Sequence, residues 1–343
     1  MNGVLVINKP MEFTSFDVVA IMRRVTGERK IGHLGTLDPN ATGVLPLVLG
    51  NATKAQDLVV NHDKEYVADF RLGIKTDTLD IWGEILEEEK TSFTKEDILN
   101  ILPKFTGEIH QVPPMYSAVK VEGKRLYDLA RDGKEVERKS RPVTVYELIL
   151  TDFDEGSQSG TLKINCSKGT YVRTLIDDIG NALGTYGVMT SLVRTNACGY
   201  SIEDAIPLEK AREMTDLGEY IKDTESLFMT YGYVKVTSPQ AKRFQNGGAL
   251  DKNRTYLAKL NPPEGTILRV KDDQNKFLGL GIVKGEELKI YKLFAVNQKN
   301  TIEQKKGVKH SLLSLWQHAL LFRATTLSFR ACRGIPYLYH SFC

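Results

Sequence analysis

The apolar positions of this chain switch between two periods. Val4-Leu5-Val6-Ile7 is a continuous apolar run closed by Lys9-Pro10, which predicts a buried strand. Val18, Ile21, Met22 and Val25 then recur at helical spacing, with Ser15 placed to cap the helix and Gly27 to stop it. Tyr66 to Leu72 alternates as a half-buried strand does. Thr94 is predicted to cap a short helix carrying Ile98, Leu99, Ile101 and Leu102, closed near Pro103. Leu162, Ile164 and Cys166 alternate again. The strongest helical stripe follows: Val172, Leu175, Ile176, Ile179 and Leu183, with Thr170 as candidate cap and Gly184 as stop. Strands and helices in irregular order, without repeated βαβ units, predict an α+β fold.

A second unit is expected from about Tyr231. Ser238-Pro239 opens a short helix ending at Asn246-Gly247-Gly248. Strand-like runs follow at Tyr256–Leu260, Ile267–Val270, Phe277–Val283 and Leu288–Lys292, with turn signals at Asp272-Asp273 and Lys284-Gly285. They predict a small β-barrel. The expected division is 1–230, 231–294 and a tail, 295–343. In the tail, the run from Ser311 to Phe322 is apolar and the stretch from Ser328 to Gly334 is basic. Its apolar run is shorter than the roughly 20 residues a bilayer span needs. A basic amphipathic membrane-surface segment fits this composition, but the abrupt change after the barrel fits a non-native extension better.

Composition narrows the class only a little. The 343 residues suffice for two domains, and 41% hydrophobic with 26% charged is ordinary for a globular protein. The N-terminus lacks a basic stretch followed by a long apolar run, so no signal peptide and a cytoplasmic location are expected. Four cysteines at 166, 198, 332 and 343 lack C-x-x-C spacing, which argues against a zinc site or disulfide framework. The net charge of +3 is unevenly spread: the chain from Asn297 onward carries +6 and the remainder −3. Local clusters say more. Arg23, Arg24, Arg29 and Lys30 precede one glycine-rich loop, and Lys120, Lys124, Arg125, Arg131, Lys134, Arg138, Lys139 and Arg141 crowd another segment. Such stripes suit a polyanionic partner.

The glycine-rich loop is the chief candidate for chemistry. Gly32-His33-Leu34-Gly35-Thr36-Leu37-Asp38-Pro39-Asn40-Ala41-Thr42-Gly43 presents one carboxylate on irregular backbone. Pro39 keeps Asp38 out of the helical region, so Asp38 is extended or in a turn. Lys64-Glu65-Tyr66 puts a tyrosine at a strand start. Pro113-Pro114-Met115-Tyr116-Ser117-Ala118-Val119-Lys120 is a rigid lead into a basic residue. Ser167-Lys168-Gly169-Thr170-Tyr171-Val172-Arg173 sets Tyr171 and Arg173 in the first turn of the strongest helix. An arginine there opposes the helix dipole by about 0.3–1 kcal/mol, so a nearby carboxylate such as Asp38 is its expected partner.

These motifs, with Gly3-Val4-Leu5-Val6-Ile7-Asn8-Lys9-Pro10 and Thr14-Ser15, resemble the tRNA pseudouridine synthase B family in family order over about residues 1–294. One departure is Glu12, where the family usually has glycine. The resemblance implies an α+β pseudouridine synthase domain with a mixed, largely antiparallel sheet and a C-terminal PUA-like domain. It implies isomerisation of the uridine at position 55 of the tRNA T loop. Carried over by position, Asp38 is the nucleophile, Arg173 its ion-pair partner, and Tyr66 stacks on the flipped base or acts as general base. Tyr171, Lys9, Lys120 and Leu192 contact substrate, and His33 holds the opened loop.

The residue types suit that reaction. The N1–C1′ bond breaks, the base turns over, and C5 rejoins C1′, so neither metal nor cofactor is required. A carboxylate can attack the sugar or assist elimination to a glycal. It has to stay ionised, which an adjacent buried arginine favours. The target base has to leave its stack and be held on an aromatic face. The expected partner is the tRNA T-stem-loop, engaged by a monomer with no membrane role for residues 1–294. Two alternatives differ in kind: a non-catalytic tRNA-binding or folding protein, and a synthase acting on another RNA or through a guide partner. Intact Asp38, Tyr66 and Arg173 argue against the first, and a short insert with a compact C-terminal domain against the second.

Overall fold

A computed structural model describes residues 1–121 and 123–294. The expectations for the tail lie outside the described residues. The first elements are β1 (Gly3–Lys9), α1 (Ser15–Thr26), β2 (Ile31–His33), β3 (Thr42–Leu49) and β4 (Lys64–Leu72). An excursion follows through β5 (Ile74–Thr76), β6 (Ile85–Glu88), α2 (Lys95–Ile101), β7 (Gly107–Gln111), a hairpin of β8 (Lys120–Val121) and β9 (Lys124–Arg125), and α3 (Leu126–Arg131). The chain returns through β10 (Arg141–Asp154), β11 (Ser159–Cys166), α4 (Val172–Leu183) and β12 (Gly187–Ala197).

The main sheet also takes up three short strands, β13 (Tyr200–Ser201), β14 (Ile206–Pro207) and β15 (Ile221–Lys222), with α5 (Leu208–Glu213) between the last two. Its order is β14-β1-β3-β12-β4-β11-β10-β7, with β2, β13 and β15 pairing at its margins. Most neighbours are antiparallel, but β3 and β12 run parallel, aligning Thr42 with Val193 and Gly43 with Arg194. This junction lies at the end of the Asp38 loop. Gly43 has φ 103°, and a Cβ there would come 2.2 Å from the Arg194 carbonyl oxygen, so the parallel contact needs glycine.

One face of the sheet packs on α4 and α2 around Phe70, Ile98, Leu162, Ile164, Leu175 and Ile179. Part of the other side is covered by α1 and α5 through Val18, Met22, Leu208 and Ala211. Gly180 of α4 meets Gly187 of β12 so closely that an added Cβ at Gly180 would fall 2.3 Å from the Gly187 nitrogen. That contact seats the helix on the strand.

Two helix caps differ from expectation. Thr14, not Ser15, caps α1, in a reciprocal box with Asp17. Ser15 is buried and its hydroxyl bonds the Leu37 backbone instead, accepting from N at 2.9 Å and donating to O at 3.2 Å. Tyr171, not Thr170, is the N-cap residue of α4, while the Thr170 hydroxyl donates to the Ser167 carbonyl. Thr94 caps α2 as expected, and Gly27 and Gly184 close α1 and α4 in left-handed conformations.

The C-terminal part comprises β16 (Tyr233–Lys235), α6 (Ser238–Gln245), β17 (Leu250–Asp251), α7 (Leu257–Leu260), β18 (Ile267–Lys271), β19 (Phe277–Lys284) and β20 (Glu287–Leu293). Its sheet runs β16-β18-β19-β20-β17, a path with two ends, so it is a curled half-barrel and not a closed barrel. The run from Tyr256 to Leu260 is helical, not a strand, and stops at Asn261 with φ 37°. Leu-Ala-Lys-Leu favours a helix, and Pro262 and Pro263 just beyond it fit a helix stop. Phe277, Leu280 and Phe294 of this part share a cluster with Val4, Val44 and Phe228.

Candidate active site

The Asp38 loop joins β2 to β3, and each of its five carbonyls from Gly35 to Pro39 is hydrogen-bonded. Arg194 donates to Gly35 O at 3.1 Å and Thr36 O at 3.2 Å, and Ser15 to Leu37 O. Ala41 N closes a turn on Asp38 O at 3.1 Å. Pro39 O accepts from Lys9 Nζ and Glu12 N, both at 3.0 Å. A loop of irregular backbone is thereby fixed by side chains and turns where no ladder can serve it.

Two of those donors are fully buried cations. Lys9 also donates to Pro10 O and Phe13 O, and Arg194 to Val44 O at 2.7 Å. Neither has a carboxylate partner among the described residues. Burial lowers the Lys9 ammonium to about 8, against an opposing pull from Asp38.

Asp38 opens onto a cavity of about 450 Å³ that is also lined by His33, Tyr66, Tyr171, Arg173 and Leu192. Arg173 Nη2 lies 2.8 Å from Asp38 Oδ2. The guanidinium is held by Thr78 O and Tyr116 O, each at 2.9 Å, and its Nη1 stands 3.7 Å from Asp80. Burial pushes the Asp80 carboxyl above its ordinary range, opposed by the Thr78 hydroxyl and by Arg173. The segment around Tyr116 therefore serves the site through a backbone carbonyl, and through Ser117 and Ala118 in the wall.

Tyr66 is 6% exposed on β4, and burial raises its phenol, which stays protonated at neutral pH. Gln111 of β7 grips Tyr171 on both backbone sides, accepting from N at 3.0 Å and donating to O at 3.2 Å. His33 is lowered by burial and by the charge of Arg194, so its imidazole is neutral at pH 7. Leu192 reaches the cavity from β12, beside Ala68 of β4.

The structure thus brings Asp38, Tyr66, Arg173, His33, Tyr171 and Leu192 to one cavity. Lys9 lies beneath the loop and does not line it, and Lys120 is exposed on the β8–β9 hairpin away from the lining. The sequence reading missed Arg194, Asp80 and Lys64. Arg194 follows Leu192 at period two on a strand, so an inward arginine was signalled by the alternation itself. Lys64, in the cavity wall, is lowered chiefly by burial.

Glu12 sits at φ 68°, a left-handed conformation that costs a non-glycine residue about 1–2 kcal/mol. Its N–H on Pro39 O ties that bend to the Asp38 loop.

Comparison with known proteins agrees with this geometry. Residues 23–172 match the TruB family pseudouridylate synthase N-terminal domain, and residues 233–293 match the pseudouridine synthase II TruB C-terminal domain. The fold is shared with the solved Cbf5-Nop10-Gar1 complex (TM-score 0.64, 24% identity, 85% of each chain) and with an H/ACA RNP bound to a substrate RNA containing 2′-deoxyuridine (TM-score 0.64, 22% identity, 86% of this chain and 85% of that one). Fold and site define a pseudouridine synthase. Curated relatives named tRNA pseudouridine synthase B include those of Clostridium tetani, 43% identical over 85% of this chain and 99% of the relative, and Lactobacillus johnsonii, 41% identical over 80% and 96%. The chain belongs to the tRNA pseudouridine synthase B family.

Proposed function

We propose that this enzyme, a tRNA pseudouridine synthase, isomerises the uridine at position 55 of the T loop, with Asp38 as its nucleophile. The observation that carries the reading is the Asp38 carboxylate, half exposed in the cavity and paired at 2.8 Å with a buried arginine. Asp38 attacks C1′ or assists loss of the C2′ proton to a glycal as the N1–C1′ bond breaks. The freed uracil turns within the cavity and C5 joins C1′ as the Asp38–C1′ ester bond breaks (or as C2′ of the glycal regains its proton); C5 then loses its proton and N1 gains one. Arg173, 2.8 Å away, holds the carboxylate in position.

Tyr66 supplies a face for the flipped base. Its raised pKa supports stacking over service as a phenolate base. Tyr171 and Leu192 shape the wall, and His33 fills the space the base leaves. A non-catalytic binder has no need of the Asp38–Arg173 pair. The division into a synthase domain, 1–230, and an RNA-binding domain, 231–294, is supported by the two sheets and the two matched regions. Among the described residues no helix is long and apolar enough to cross a membrane. We place the enzyme in the cytoplasm as a monomer on tRNA.

The test is incubation of the protein alone with unmodified tRNA transcript, followed by mapping of pseudouridine. Product at position 55 without any guide RNA supports the reading. No product, or product elsewhere only, overturns it.

A further inference from the structure

Phe16 is 65% exposed, although it sits in the first turn of α1 where the neighbouring Ser15, Val18 and Val19 are buried. Its ring gives the core little: α1 is anchored through Val18, Val19 and Met22. A single exposed phenylalanine is common on protein surfaces. This one is set apart by its neighbour. Its ring centroid lies 5.5 Å from that of His33, with the planes at 90°. His33 in turn lines the cavity that holds Asp38, and its backbone carbonyl is fixed by Gln56 Nε2 at 3.1 Å.

We propose that Phe16 is a substrate-contacting residue, a stacking platform at the cavity rim for an RNA base next to the flipped uridine. Two perpendicular rings form a corner with faces in two directions. Such a corner suits two nucleobases that no longer stack on each other, which is the state of the neighbours once one base has been flipped out. The occupant is nucleic acid on charge grounds as well. Lys64, Lys168 and Arg173 line the cavity against a single carboxylate, Asp38. His33 is neutral, so the corner binds through π-faces and the lysines answer the phosphates. The inference rests on the proposed reaction and adds to it a base-binding surface outside the catalytic cavity.

The test compares Phe16→Ala, Phe16→Leu and Phe16→Trp with wild type on unmodified tRNA transcript, measuring kcat, KM and thermal midpoint. RNA binding is read in an Asp38→Asn background. The alanine and leucine variants are expected to weaken binding and raise KM by about 5- to 100-fold, the loss of one stacked base. Tryptophan keeps near-wild-type values, and all three melt within about a degree of wild type because the ring is mostly in water. Kinetics unchanged in Phe16→Ala, leucine performing as well as phenylalanine, or a drop of several degrees in the midpoint would each overturn the platform. Wild type runs in the same assay. If wild type forms no pseudouridine, the reaction assignment fails; if it does while Phe16→Ala is indifferent, only the platform fails.

Discussion

Asp38 and Arg173 lie 2.8 Å apart in opposite solvent regimes, the arginine side chain 7% exposed and the aspartate 47%. The buried member is anchored by two carbonyls and a second carboxylate, and among the described residues the open member carries only that one ion pair. Such an arrangement fixes the position of a carboxylate while leaving one oxygen free to react. The arginine is the fixed half of the pair, and in the proposed reaction the aspartate is the chemical half.

Asp38→Asn keeps the shape of the side chain and removes the proposed nucleophile. Turnover should fall by at least roughly a thousandfold while tRNA affinity stays within a few-fold of wild type. Pseudouridine formation at a substantial fraction of the normal rate would exclude Asp38 as nucleophile.

Arg173→Met leaves Thr78 O, Tyr116 O and Asp80 without their donor. Leaving those buried acceptors without a donor costs about 1–3 kcal/mol, so the thermal midpoint should drop, and the rate should fall by about a hundredfold or more as Asp38 loses its positioning partner. An unchanged rate between pH 6 and pH 8 would show that the pair does not matter to catalysis.

Lys9 gives a pH signature with a definite sign. Its folded value of about 8 lies below the ordinary 10.5, so between those limits the unfolded chain binds more protons. Wild type should therefore gain stability relative to Lys9→Met as pH rises from 7 to 10. Urea titrations at both ends of that window measure it, and a flat or falling difference would mean that Lys9 is not strained by burial.

Glu12→Gly removes a left-handed non-glycine residue. Relief of about 1–2 kcal/mol is partly offset by the freer unfolded chain, leaving a net change between zero and about +1 kcal/mol. A loss of stability would show that the Glu12 side chain makes a favourable contribution larger than the backbone strain.

A chain ended after Phe294 should retain full activity and tRNA affinity. All residues given roles here precede that point, and the alignment with the Clostridium tetani relative covers 294 residues. A thermal midpoint lower by several degrees would show that residues 295–343 support the fold.

Much of the site was legible through the family resemblance, and local patterns place several of its residues. The α4 stripe gives Arg173 its place, the alternation of β4 gives Tyr66 its inward direction, and Pro39 keeps Asp38 off a helix. Harder to read were donors whose partners are backbone. Lys9 reads as a substrate contact because nothing in sequence reveals that three carbonyls converge on its ammonium. Thr14 and Ser15 are equally good caps by residue type, and only the Leu37 backbone, 22 residues on, claims Ser15 for another task. Asp80 comes from an irregular excursion without periodicity. Tyr256 to Leu260 is too short for its period to be assigned, so its neighbours decide.

The parallel junction of β3 with β12 also has a consequence for biosynthesis. The segment carrying Asp38 leaves the ribosome early, but Arg194, which holds Gly35 and Thr36, arrives some 150 positions later. Until then the nascent chain has the loop with the donors for Leu37, Asp38 and Pro39 but without the one that holds Gly35 and Thr36. The fully held loop is therefore a late product of long-range strand pairing, and a polypeptide arrested before Gly187 has every atom of Asp38 without the strand that completes the loop's support.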